Sequence, residues 1–196
     1  MALSKKIYKD YSEYIEHQKS KLDKEIGWIS RWDKKYTEIL KERLLDNFIK
    51  LDIEKGNVLC LGARLGGEVR AFIEINCFAV GIDLNPGKDN KYVLYGDFHD
   101  IQFPSKSVNI VFTNSLDHVF DIDKFFDEIK RVLKPGGYLI MEIAKGGKPG
   151  PYEAISWKNI DDIIKVIEKY GFELIKKFNI DYPDEGEHCI FKEKLK

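Results

Sequence analysis

Three short segments of the chain carry residue types from which a ligand site could be built. Leu61-Gly62-Ala63-Arg64-Leu65-Gly66-Gly67 is a glycine-rich turn, and glycine lets a ligand approach the backbone closely. Gly81-Ile82-Asp83-Leu84-Asn85 ends an apolar run on an acid that can accept hydrogen bonds from ribose hydroxyls. Tyr95-Gly96-Asp97-Phe98 offers a carboxylate for an exocyclic amine and an aromatic wall for a purine. Each segment has a plain alternative: a tight turn without ligand, a helix or turn cap, an ordinary turn. Three such segments in succession are harder to explain that way. A fourth, Thr113-Asn114-Ser115-Leu116-Asp117-His118, adds an imidazole whose ordinary pKa suits a general base, with Asp117 beside it to orient it. His118 could equally cap or pack within its loop. Asp97-Phe98-His99-Asp100 resembles part of a metal site, but nothing is placed to complete the ligand set, so no metal is expected.

The elements that must position these segments follow from apolar patterning. Val58-Leu59-Cys60-Leu61, Phe78-Ala79-Val80-Gly81-Ile82, Tyr92-Val93-Leu94-Tyr95, Val108-Asn109-Ile110-Val111-Phe112 and Tyr138-Leu139-Ile140-Met141-Glu142-Ile143 read as strands. Helices are expected over 68–74, 123–133 and 160–170, the second stopped by Lys134-Pro135-Gly136-Gly137. Phe172–Ile175 and His188–Phe191 close the series, and the short turn between them demands an antiparallel hairpin. Alternating strands and helices predict a doubly wound, mainly parallel, seven-stranded α/β sheet. The candidate segments then lie together on its carboxyl edge, where open α/β sheets bind ligands. The connection from Asp83 to Tyr92 is short for a helix and is expected to be a loop.

Residues 1–54 read as a helical extension with no strand-like run, and 55–196 as the α/β core. Apolar residues from Tyr36 to Ile49 recur at helical spacing, so the last part of the extension should pack on the sheet. Trp28, Trp32 and Tyr36 share a helix face and suit either an acceptor pocket or a packing stripe. The loop from Lys145 to Tyr152 suits a flap or a plain connector.

Composition narrows the function classes. The 196 residues carry 32 Lys and Arg against 33 Asp and Glu, so no field of one sign favours nucleic acid or an anionic membrane. Cys60, Cys77 and Cys189 are widely spaced and form no C-x-x-C pair, which fits a reducing, cytoplasmic setting. The first residues lead into charge rather than an apolar core, so no secretory signal is expected, and no run is long enough to span a membrane.

Val58-Leu59-Cys60-Leu61-Gly62, Gly81-Ile82-Asp83, Gly96-Asp97 and Leu133-Lys134-Pro135-Gly136-Gly137-Tyr138 resemble, in order, the motifs of class I S-adenosylmethionine-dependent methyltransferases of the type 11-like domain. The resemblance spans roughly residues 55–145 and implies a Rossmann-like methyltransferase fold. It implies S-adenosylmethionine as cofactor and S-adenosylhomocysteine as product. The methionine part would lie at Gly62, Ala63, Arg64 and Gly66, the ribose at Asp83 and Leu84, and the adenine at Asp97 and Phe98. Asn114 would be a further cofactor-binding residue, and Asp117 and His118, at the edge that faces the transferred methyl and the acceptor, the catalytic candidates. The acceptor is expected to be a small molecule, with Trp28, Trp32, Tyr36 and Tyr152 as its lid or pocket wall. Two positions depart from the family: Cys60 stands where an acid is usual, and Arg64 where glycine is usual. The first departure removes a partner for the cofactor's amino group. The second puts a guanidinium where it could meet the cofactor's carboxylate or block the pocket. Residues 1 to about 35 are expected to close over the cofactor, with Lys19 or Arg31 as further partners for that carboxylate. The competing reading is a noncatalytic cofactor-binding protein or partner subunit. A nicotinamide enzyme is disfavoured because Arg64 breaks the G-x-G-x-x-G pattern.

Overall fold

A computed structural model describes residues 3–146 and 150–195, apart from the side chain of Glu25. β1 (Leu3–Lys5) precedes α1 (Tyr11–Lys50), a single helix of 40 residues. At 1.5 Å per residue it is about 60 Å long. Asp10 caps it by accepting from the Glu13 amide at 2.9 Å, while Glu13 reaches back to the Lys9 amide. There follow β2 (Asn57–Leu61), α2 (Gly67–Glu74), β3 (Phe78–Asp83), β4 (Val93–Tyr95) and β5 (Val108–Thr113). A single 3-10 turn (Leu116–His118) leads to α3 (Ile122–Val132), β6 (Leu133–Ala144), β7 (Ile155–Trp157), α4 (Ile160–Lys169), β8 (Phe172–Ile180) and β9 (Gly186–Glu193).

Seven strands form the main sheet in the order β4-β3-β2-β5-β6-β9-β8. β2, β3, β4, β5 and β6 run parallel, and β9 enters antiparallel between β6 and β8. The alternation of apolar runs therefore produces the expected doubly wound sheet with its closing hairpin. Asp83 and Val93 are joined without a helix, as the short spacing requires.

Two local expectations are corrected. Residues 1–54 are not wholly helical: β1 pairs antiparallel with β7, Leu3 opposite Trp157, in a separate two-stranded sheet. The pairing partner lies about 150 residues away, so no local pattern marks it. Lys134-Pro135-Gly136-Gly137 also does more than end α3, because β6 already begins at Leu133 and passes through it. The register between β5 and β6 shifts there, and Gly136 takes φ +74°.

The two faces of the sheet are covered differently. Tyr36, Leu40, Leu44 and Phe48 of α1 form a four-residue ladder that packs with Phe72 of α2 against β2 and β5. Phe125, Phe126 and Ile129 of α3 and Ile163 and Ile167 of α4 cover the other face. The first half of α1 runs on past the sheet and crosses its carboxyl edge, where the Tyr14 hydroxyl donates to the His118 carbonyl at 3.0 Å. Extension and core thus share one continuous helix.

Candidate functional site

The glycine turn after β2 is shaped by contact as well as by backbone freedom. Gly62 has φ +70°, and a Cβ there would stand 2.5 Å from the Ser115 Oγ. Gly66, at φ +85°, is the N-cap of α2. Arg64 itself takes φ +43°, a left-handed conformation that a non-glycine residue enters at a cost. Asp83 at the end of β3 holds it there. Its Oδ2 accepts from the Arg64 amide at 3.0 Å, and its Oδ1 accepts from the Asn85 amide at 2.7 Å. Each carboxylate oxygen keeps a second lone pair for a ligand hydroxyl. Burial pushes the Asp83 carboxyl upward, with nearby Arg64 and the two amides opposing.

Two adjoining lobes open on this edge. The first lies among Gly62, Asp83, Leu84, Asn85 and Phe98, under Leu22 of α1. The second, open to solvent, runs past Ala63 and Asn114 to Asp117, with Trp28 and Trp32 on its α1 wall. Lys21, Gly62, Arg64, Ser115 and His118 line both lobes and mark their junction. The candidates Gly62, Ala63, Arg64, Asp83, Leu84, Phe98, Asn114, Asp117, His118, Trp28 and Trp32 are therefore brought together.

Four others are not. Asp97 lies outside both lobes. Its carboxylate accepts from the Tyr11 hydroxyl of α1 and from the His99 amide and Nδ1 at 2.8 and 3.1 Å. The fully buried His99 uses its other nitrogen to accept from the Asp121 amide, so this cluster fastens the extension to the core. Gly66 supports the turn without reaching the cleft. Tyr36 sits behind the wall, stacked on Trp32 at 4.7 Å, with its hydroxyl donating to Glu142 at 2.7 Å. Tyr152 is buried outside the lining; its ring stacks on His17 and its carbonyl accepts from Gln18 and the His118 Nδ1. Within the proposed flap, Gly147, Lys148 and Pro149 lie outside the described residues. Neither Lys19 nor Arg31 reaches the cleft: Lys19 pairs with Glu16 and Arg31 bonds back to the Gly27 carbonyl.

His118 is not a free base in this arrangement. Its Nδ1 donates to the Tyr152 carbonyl at 3.0 Å, and its Nε2 accepts from the Lys21 ammonium at 3.1 Å. Burial, then the Lys21 and Arg64 charges, hold its pKa well below the ordinary histidine value. Asp117 lies 3.8 Å from the Nε2, too far for a hydrogen bond that would orient the ring.

Several site residues carried no sequence signal of their own. Lys21 enters from α1; burial, then Arg64, lowers its pKa to about 8. It shares a helix face with Trp28 and Trp32, seven and eleven residues on, and that spacing could have found it. Glu142 of β6 is held by Arg43 at 3.0 Å, His188 at 3.0 Å and Tyr36. Burial alone would raise its carboxyl; these partners outweigh it and hold the pKa below the usual range. Glu68, in the first turn of α2, is 3% exposed and lines the second lobe.

Among the described residues no group of His, Cys, Asp or Glu is arranged to hold a metal ion, and no helix is long and apolar enough to cross a membrane.

A family model described as a methyltransferase domain matches residues 35–141, more than half of the chain. The comparison with curated proteins finds no match. Among solved structures, 1,6-didemethyltoxoflavin-N1-methyltransferase from Burkholderia thailandensis aligns with a TM-score of 0.77 at 12% identity, over 98% of this chain and 94% of that one. An S-adenosylmethionine-dependent methyltransferase from Thermotoga maritima gives 0.65 at 17% identity, over 91% and 100%. One from Aquifex aeolicus gives 0.60 at 18%, over 78% and 88%. At these identities the likeness is one of fold.

Proposed function

The chain belongs to the methyltransferase-domain family and is S-adenosylmethionine-dependent, and from that premise we propose that it methylates a small molecule held in the second lobe. The observation that carries this reading is the junction. Lys21, Gly62, Arg64, Ser115 and His118 border both lobes, so a group bound in the first meets a group bound in the second at one place. The Burkholderia thailandensis relative carries 1,6-didemethyltoxoflavin together with S-adenosylhomocysteine.

The first lobe fits the nucleoside part of the cofactor. Asp83 retains lone pairs for ribose hydroxyls, and Leu84 and Phe98 supply apolar walls for adenine. Asp97 is given no adenine contact in this reading, since it lies outside both lobes and its carboxylate accepts from Tyr11 and His99. When bound, the cofactor supplies an activated methyl group. The protein's own work is alignment and exclusion of water. Gly62 leaves room at the junction, while Trp28 and Trp32 present a flat wall to an acceptor. The first half of α1 is the lid: Tyr11 and Tyr14 tie it to Asp97 and to the His118 carbonyl. Asn114, Asp117 and His118 are assigned to positioning the acceptor. His118 can take a proton only after Lys21 releases its Nε2.

Calorimetric titration with S-adenosylhomocysteine tests the reading. Saturable binding with a rise in Tm is expected. A folded protein that shows neither would overturn it. Methyl transfer from labelled cofactor to a panel of flat amines, phenols and heteroaromatic acceptors then tests the acceptor class. Label found only in protein or nucleic-acid acceptors would exclude a small-molecule acceptor.

A further inference from the structure

We propose that the aminoacyl end of the cofactor is held as a zwitterion by charges relocated around the glycine turn, the ammonium on Glu68 and the carboxylate between Lys21 and Arg64. This rests on the cofactor reading above and assigns to three residues what Cys60 cannot do.

The argument starts from an acid without a cation. Glu68 is 97% removed from solvent yet borders the open second lobe beside Gly62, Ala63 and Arg64. Among the described residues no Lys, Arg or His nitrogen lies within 4.0 Å of its carboxylate, and its own backbone amide is the donor that faces it. The neighbouring buried acids are spent differently. Asp33 pairs with Arg70 and accepts from the Gly67 amide, and Glu142 is held by Arg43 and His188. A buried carboxylate without a counter-charge is costly, and it persists where a cationic ligand completes it.

Position completes the argument. Cys60 is wholly buried in β2 and packs in the same apolar cluster as Val69, the residue that follows Glu68 in α2. The acid absent from the strand at Cys60 is thus supplied from the first turn of α2. Across the junction stand two cations. Arg64 makes no side-chain hydrogen bond or ion pair among the described residues. Its charge is the largest electrostatic influence on Lys21 and lowers the lysine's pKa. Asp117, Glu153 and Asp184 line the same lobe and partly offset the two cations, yet burial and Arg64 still outweigh them at Lys21, so a carboxylate placed between Lys21 and Arg64 relieves both. Lys21 belongs to α1, so binding that carboxylate also fastens the lid and frees the His118 Nε2.

The test compares S-adenosylhomocysteine with 5′-methylthioadenosine, which keeps the nucleoside and thioether but lacks the aminoacyl end. Both probes should bind the wild-type protein; if neither binds, the cofactor reading fails rather than the relocation. Glu68→Gln should weaken S-adenosylhomocysteine at least tenfold and leave 5′-methylthioadenosine within twofold. Lys21→Met should show the same selectivity. A second readout uses the unaltered protein. Burial, then the Asp33 charge, pushes the Glu68 carboxyl up to about 8, with Asp83 adding to the rise and Arg64 opposing it. Ionising it against an ammonium at pH 7 should release a proton, seen as a dependence of binding heat on buffer ionisation. 5′-Methylthioadenosine contacts the same Asp83 but should release none. Unchanged S-adenosylhomocysteine affinity in Glu68→Gln overturns the ammonium assignment, and unchanged affinity in Lys21→Met overturns the carboxylate assignment. Should Glu68→Gln not fold, binding of S-adenosylhomocysteine without proton release overturns the ammonium assignment by itself.

Discussion

Replacing Gly62 by alanine should damage both stability and cofactor binding, and its cost can be worked from the turn. Two penalties add. Gly62 has φ +70°, where an L side chain costs about 1–2 kcal/mol. The new Cβ would stand 2.5 Å from the Ser115 Oγ and 2.8 Å from its Cβ, an overlap that forces a shift worth about 1–3 kcal/mol. The sum is about 2–5 kcal/mol, or roughly 4–20 °C in Tm for a chain of this size. The next neighbour, the Phe98 Cε1, is at 3.8 Å, an ordinary contact. Ser115→Gly should therefore remove the overlap and leave only the backbone penalty. Urea unfolding of Gly62→Ala, Ser115→Gly and the double variant completes the cycle, with an expected coupling of about 1–3 kcal/mol. S-adenosylhomocysteine affinity should fall with Gly62→Ala, because the added methyl group sits at the junction of the lobes. A loss below about 1 kcal/mol, or the same loss in both Ser115 backgrounds, would refute the steric argument.

Asp83→Ala should weaken S-adenosylhomocysteine by about 1.5–3 kcal/mol, the range for hydrogen bonds to a charged group; unchanged affinity in a titration would place the ribose elsewhere. Arg43→Met should cost about 3–5 kcal/mol in urea unfolding, because it removes a cation from the buried Glu142 and leaves the carboxylate short of partners. Because Glu142 has a folded pKa below its unfolded value, its stabilising contribution should be present above the ordinary glutamate pKa of 4.5 and vanish as pH falls through the folded value. An acid limb of the stability profile that is unchanged in Glu142→Gln would contradict this. Glu68 behaves oppositely: its folded pKa is raised from 4.5 to about 8, so the ligand-free protein should lose stability as pH rises across that window. Glu68→Gln should flatten that decline in thermal unfolding at pH 5–9, and a slope equal to wild type would show that the carboxyl is not desolvated.

The strands, the closing hairpin and the carboxyl-edge turns were legible because they depend on local information. Apolar runs such as Val58–Leu61 and Val108–Phe112 specify buried parallel strands by their own period and length, and Lys134–Gly137 ends α3 by its own backbone limits. The places of Gly62 in a tight turn and Asp83 at a strand end were legible for the same reason, since each carries its constraint in a few adjacent residues. The course of α1 was not so determined. One helix both lines the sheet and roofs the cleft, and only packing decides that Lys21 points inward while Lys19 and Arg31 pair or bond outside. The partners of Asp97 were hidden for a related reason: a carboxylate at a strand end binds whichever donor reaches it, and the Tyr11 hydroxyl arrives from 86 residues away. Glu68 and Cys60 are eight residues apart on different elements, and they are brought to one side of the sheet only once α2 has folded back onto β2. Local backbone preference and apolar period are written residue by residue, whereas the partner of a buried charge is settled by competition among groups that meet only in the folded chain.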